Sequence, residues 1–210
     1  MNQPAVSNQI KANKNLSFAE ITQSSLQLFT AQSWQWNDFP AFGSLVTVQA
    51  KNRTLFGIVY EIQTGSSDPH RFPFTYKKTE EELRAEQPQI FEFMQTSFSC
   101  LAVGFLENNQ LFYQIPPEPP QMHAFISHAT DKEIAYFFSS CAYLHLIFCA
   151  NLPVSIDELL LSFLRTQAEL KLLTNRSCIE FIETIQLISG DDYRRLKILI
   201  HRSESILSKI

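Results

Sequence analysis

Two apolar runs set almost end to end, Ser44 to Ala50 and Thr54 to Ile62, restrict this chain more than any other feature. Both are rich in β-branched residues and both alternate. Only Lys51, Asn52 and Arg53 separate them, a spacing that predicts an antiparallel hairpin. Gly57 interrupts the second run, where a curved strand needs a bulge or a close backbone approach. A second pair of runs, Thr96 to Leu106 and Leu111 to Ile115, flanks Asn108 and Asn109, and asparagine tolerates the positive φ of a tight hairpin turn. Two curved hairpins of this kind predict a small β-barrel within the stretch Ser44 to Phe138.

Upstream, Asn15 to Thr22 alternates as a first strand and Ser24 to Thr30 reads as its continuation. Trp34, Trp36 and Phe39 form an aromatic loop. No lysine or arginine lies between Lys14 and Lys51 to hold phosphates, so these rings are expected to cover one end of the barrel rather than to stack on bases. Between the hairpins, Thr79 and Glu82 have the spacing of a capping box, and Gln87-Pro88 divides the helix they start from a second helical turn through Phe93. Glu80, Glu81, Glu82 and Glu86 suit the start of a helix, where the backbone dipole favours acids. Pro116 to Pro120 favours polyproline II and cannot join a ladder, so it is expected to be a stiff strap from barrel to helices.

Everything after Thr130 has helical patterning. Capping boxes at Thr130/Glu133 and Ser155/Glu158, the break at Pro153, and Gly190 with Asp191 and Asp192 predict four helices, about 130–150, 156–174, 177–189 and 191–208. The first is apolar enough from Ile134 to Leu152 to be weighed as a membrane span, yet the amphipathic helices behind it need an apolar partner. A central buried helix is therefore expected, and no membrane span. On the last helix, Tyr193, Leu196, Leu199, Ile200, Ile206 and Leu207 form the inward stripe, with Arg194, Arg195, Lys197, His201 and Arg202 on the wet face. Arg194, Arg195, Lys197 and Arg202 are the candidate partner-binding residues.

The fold class that follows is α+β: a small N-terminal β-barrel with a helical insertion at about 79–93, then a C-terminal α-helical bundle. The expected divisions are a frayed tail over 1–14, the barrel over 15–129 and the helical part over 130–210. With 210 residues and 45% hydrophobic content the chain can bury a substantial core. A net charge of −4 argues against broad electrostatic capture of nucleic acid. The polar stretch Met1 to Lys14 has no apolar centre and is read as neither a secretory signal nor an anchor. Cys100, Cys141, Cys149 and Cys178 form no Cys-x-x-Cys pair, as expected of reduced thiols in a cytoplasmic protein.

Enzyme templates find nothing to match. Gly-x-Ser-x-Gly, His-Glu-x-x-His and Gly-x-Gly-x-x-Gly do not occur, so no catalytic residue and no cofactor are expected. Cys141, His145 and Cys149 recur at i, i+4 and i+8 and are the metal candidates. Three successive turns span about 12 Å, too far for all three to hold one ion, although two of them with Cys178 or His123 remain an alternative. Buried thiols and a hydrogen-bonded core histidine, with no metal, are the expected outcome.

Gly57, Gln87-Pro88, Thr96, Val103 to Phe105, Pro116 to Pro120, Ala124 to Ile126, Ala129 and Glu133-Ile134 through Phe138 together resemble the N-terminal HAS barrel of HerA-type translocases, a barrel class that also crowns rotary ATP synthase subunits. The resemblance covers roughly Phe39 to Phe138 and implies an adaptor or assembly module. Its barrel would mediate protein–protein contact or homo-oligomerisation, with an ATPase or nuclease of a DNA-processing system, or a rotary ATP synthase, as partner. A nucleic-acid-binding accessory protein is the alternative. It would call for a basic strip joining Arg53, Lys77, Lys78 and Arg84 to the last helix. An enzyme with an unrecognised site is the third, and would call for a deep pocket holding His123, His128 or His145. In the translocases a P-loop ATPase follows the barrel, whereas no Gly-x-x-x-x-Gly-Lys-Ser/Thr occurs here and only Gly190 lies beyond Gly104. The purified protein is therefore expected neither to bind nor to hydrolyse ATP. Saturable micromolar binding in calorimetry, or turnover above a buffer control, would contradict this.

Overall fold

A computed structural model describes residues 17–68, 70, 74–190 and 193–207. The expected tail, the first two residues of the first strand, and Asp191 and Asp192 lie outside the described residues. So do the side chains of Tyr193 and Leu207, two members of the expected inward stripe.

Seven strands form one antiparallel sheet: β1 (Ser17–Ser24), β2 (Leu28–Ser33), β3 (Leu45–Ala50), β4 (Arg53–Ser66), β5 (Met94–Glu107), β6 (Gln110–Phe112) and β7 (Phe125–His128). The order β2-β1-β7-β3-β4-β5 closes on itself because Leu28–Gln32 of β2 also pairs with Ser97–Leu101 of β5. The result is a closed six-stranded barrel, with β6 added to the end of β5. Both hairpin turns fall where the sequence places them, with Asn108 and Asn109 making the second at φ 50° and 60°, but its return strand is only Gln110–Phe112 and stops short of the expected Ile115.

Two strands differ from expectation. Ser24–Thr30 does not prolong the first strand: the Ser25 N–H donates to the Leu28 carbonyl at 2.8 Å and the Leu28 N–H to the Ser25 hydroxyl at 3.0 Å, turning the chain back as β2. The proline segment does not lead to the helices. It returns the chain to β7, which wedges between β1 and β3 and completes the ring, and the Ser24 hydroxyl donates to the Pro120 carbonyl.

The barrel wall alternates with period two. Phe18, Ile21, Phe29, Val46, Val48, Leu55, Val59, Phe98, Cys100, Phe105 and Ile126 fill the interior. Leu45, Phe56, Ile58, Tyr60, Leu101 and Val103 point outward from β3, β4 and β5, yet they too are buried, because the helices lie against them. Gly57 faces inward at a bulge in β4, and a Cβ there would sit 2.5 Å from Cζ of Phe29. Both uses of a strand glycine, bulge and close approach, are realised at this one position.

The insertion between β4 and β5 carries α1 (Glu80–Glu86), capped by the Thr79/Glu82 box, and α2 (Gln89–Glu92). Behind the barrel come α3 (Asp131–Phe137), α4 (Tyr143–Cys149), α5 (Ile156–Glu169), α6 (Asn175–Ser189) and α7 (Tyr193–Leu207). The expected single helix over about 130–150 is thus two short ones. Its break falls at Ser139 and Ser140, where the Ser139 hydroxyl donates to the Tyr136 carbonyl and the Ser140 hydroxyl accepts from the Ala142 N–H, competing with helical bonding. The break lets Phe137, Phe138 and Tyr143 converge with Phe56 and Phe163, their centroids 5.3 to 5.9 Å apart. The Thr130/Glu133 box forms, and Thr174/Ser177 makes a further one that starts α6. Ser155 takes the cap position of α5 without a side-chain bond, which corrects the second expected box. Lys171, at φ 55°, ends the second helix earlier than the sequence suggests.

Among the described residues no helix is long and apolar enough to cross a membrane. Gly57→Ala is expected to destabilise the fold by about 1–3 kcal/mol through overpacking against Phe29, as read from denaturant midpoints. Gly65→Ala is the control, since nothing lies within 4 Å of the added methyl. Equal effects at the two glycines would show that the close approach carries no cost.

Candidate functional site

Among the described residues an open groove of about 810 Å³ lies between the loop that enters β3, the outer side of α5 and the end of α7. Phe42, Leu161, Ala168 and Ile206 give it a half-buried apolar floor, and Glu158, Arg165 and Glu169 stand at its rim. The loop is fixed against α5 by the Ser162 hydroxyl, which donates to the Phe42 carbonyl at 2.9 Å. Gly43 permits this approach: its φ is 75°, and a Cβ would collide with the Ser162 side chain.

Rim charges neutralise one another. Arg165 donates to Glu169 at 3.0 Å within α5, and Arg202 of α7 reaches Glu158 at 2.7 Å. The Glu158 carboxylate therefore turns toward α7, not back to its own helix N-terminus, consistent with the unfilled cap at Ser155. One residue earlier, Asp157 pairs with Arg195 at 2.8 Å, and that guanidinium also lies over the Phe148 ring at 5.3 Å.

Of the four candidate partner-binding residues, Arg195 and Arg202, seven positions apart, thus face α5. Arg194 and Lys197 are exposed. Leu196 and Leu199 are buried and Ile200 and Ile206 half-buried, as the inward stripe requires, but Arg195 is a half-buried structural contact and not part of a uniform wet face.

The other candidates disperse. Cys141 sits buried in the break before α4, where burial, and after it the nearby Glu180 charge, pushes its thiol up to about 12. His145 and Cys149 are exposed on α4, with Nε2 and Sγ 3.8 Å apart, which corrects the expected buried histidine and thiol. Cys100 in the barrel interior and Cys178 on α6 are also raised by burial. His123 pairs with Glu20 at 2.6 Å, His128 stacks on Phe18 at 4.0 Å, and neither lines the groove. Arg53 is held by Glu107, Arg84 by Glu80 and Lys78 by Glu86, so three cations of the sought basic strip have carboxylate partners. Trp34 packs edge-on to Phe125 and Trp36 against Phe91, while Trp34 and Phe39 stay 44% and 41% exposed, a partial cover for the barrel.

Sequence reasoning missed the groove. Phe42 and Ser162 are 120 positions apart, and no local pattern signals their meeting. No protein-family model and no curated protein matches the chain. Arg195→Gln is expected to cost about 1 kcal/mol, because it breaks a partly desolvated pair and its ring contact, whereas Arg194→Gln should be neutral. Thermal unfolding of the two variants distinguishes them. Equal midpoints would return Arg195 to the wet face.

Proposed function

We propose that this protein is a non-catalytic adaptor whose barrel is the scaffold and whose groove receives an apolar-faced segment of a protein partner. The groove itself carries the proposal: it is open, its floor is apolar, and its rim charges are mutually paired, so it offers little net field to a phosphate backbone. A partner segment with apolar anchors and polar flanks suits such a surface. The likeness to HAS barrels supports an ATPase or nuclease of a DNA-processing system, or a rotary ATP synthase, as that partner. It also supports assembly through the barrel.

Leu161→Arg places a charge on the groove floor at a half-buried position. In affinity purification from the native cell this variant is expected to lose the specific partner by more than about tenfold, with the melting temperature little changed. Ile198→Arg, at an exposed site on α7 outside the groove, should retain it. Retention by both variants would remove the groove from the function, and a partner with no ATPase or nuclease domain would remove the HAS-based assignment alone.

A further inference from the structure

We propose that His145 and Cys149 form half of a metal site, completed by the same pair from a second copy of the chain around one zinc-class divalent ion. The inference does not rest on the groove, whose lining includes no residue of α4.

The pair has the bite the ion needs. With Zn–S near 2.3 Å and Zn–N near 2.0–2.1 Å, tetrahedral coordination places sulfur and nitrogen about 3.6 Å apart. Nε2 of His145 and Sγ of Cys149 are already 3.8 Å apart, one helical turn from each other. Both side chains are exposed, and Ala142, also exposed, lies on the same side with only a methyl group to obstruct an approaching surface. The remaining cysteines are less suitable. Burial holds Cys100, Cys141 and Cys178 toward the thiol form, while a metal takes the thiolate.

One chain cannot close this site. Among the described residues no group of three His, Cys, Asp or Glu side chains converges, so two of four coordination positions must be filled from outside the chain. A two-fold arrangement fills them with a second His145 and Cys149, giving a Cys₂His₂ set. Two thiolates balance the 2+ charge of the ion, and each thiol releases its proton to solvent on binding, so affinity should rise with pH.

The test is titration of the full-length protein, kept reduced with a phosphine and free of chelator, with Co²⁺ and then Zn²⁺. The expected result is a thiolate-to-cobalt charge-transfer band that saturates at one ion per two chains, together with a doubling of mass by light scattering. Cys149→Ser and His145→Ala should each weaken binding by more than about 100-fold and abolish the mass change, without altering the circular dichroism, since both sites are exposed. Cys141→Ser should keep the band. Absence of the band, saturation at one ion per chain with unchanged mass, or a full response in Cys149→Ser would each overturn the proposal.

Discussion

The pairing of β4 with β5 supports everything else, because both faces of the central stretch of this two-stranded wall, Leu55–Tyr60 against Cys100–Phe105, are buried. Its inner face closes the barrel with Leu55, Val59, Phe98, Cys100 and Phe105. Its outer face, Phe56, Ile58, Tyr60, Leu101 and Val103, is the floor on which the helices rest. Each large side chain removed from water here contributes about 1.5–3 kcal/mol, and barrel and helices share that gain at one surface. The aromatic hub of Phe137, Phe138, Tyr143 and Phe163 packs on this wall, and Tyr113 ties it further by donating its hydroxyl to the Phe137 carbonyl at 2.6 Å. Tyr143 is wholly buried, and its hydroxyl is met by Gln167 of α5.

A barrel filled by phenylalanine and aliphatic side chains is a packed core and not a vessel, so a binding surface on it has to sit outside. The outside is unequal. The wall formed by β3, β4 and β5 is covered, while β1, β2 and β7 turn Glu20, Thr30, Gln32 and Ser127 outward. On the covered side, α7 is held to α5 both by Leu196 and Leu199 in the shared core and by the Asp157–Arg195 and Glu158–Arg202 pairs. Those pairs add register to the apolar contact, since they fix which turn of α7 meets the start of α5. They also set the rim of the groove, so helix docking and groove shape come from the same charges.

Much of the barrel is legible locally. Alternating runs, Asn108-Asn109, Gly57 and the Thr79 and Thr130 boxes each act over a few residues, and each forms as its chemistry dictates. Two readings fail, and one strand goes unread, for a common reason. Ser155/Glu158 has the sequence of a capping box, but Arg202 offers the carboxylate a full charge where the helix start offers a backbone N–H. The apolar run after Ile134 has the length of one helix, but only a break lets both of its halves bring aromatic rings to the barrel wall. The four residues of β7 are too short to announce a strand, and they pair because β1 and β3 hold open a gap of that width.

The candidate residues divide along the same line. The i, i+4 spacing of His145 and Cys149 puts them on one helical face from sequence alone. Whether that face meets core or water depends on how α4 lies against β5 and α6, and it meets water. Arg195 and Arg202 are equally visible as basic positions, yet whether they serve a partner or another helix depends on where Asp157 and Glu158 come to rest. Local chain chemistry settles strands, turns and most caps, because those interactions span a few residues. Burial, charge pairing and the groove join residues as far apart in sequence as Phe42 and Ile206, and packing alone brings such residues within reach of one another.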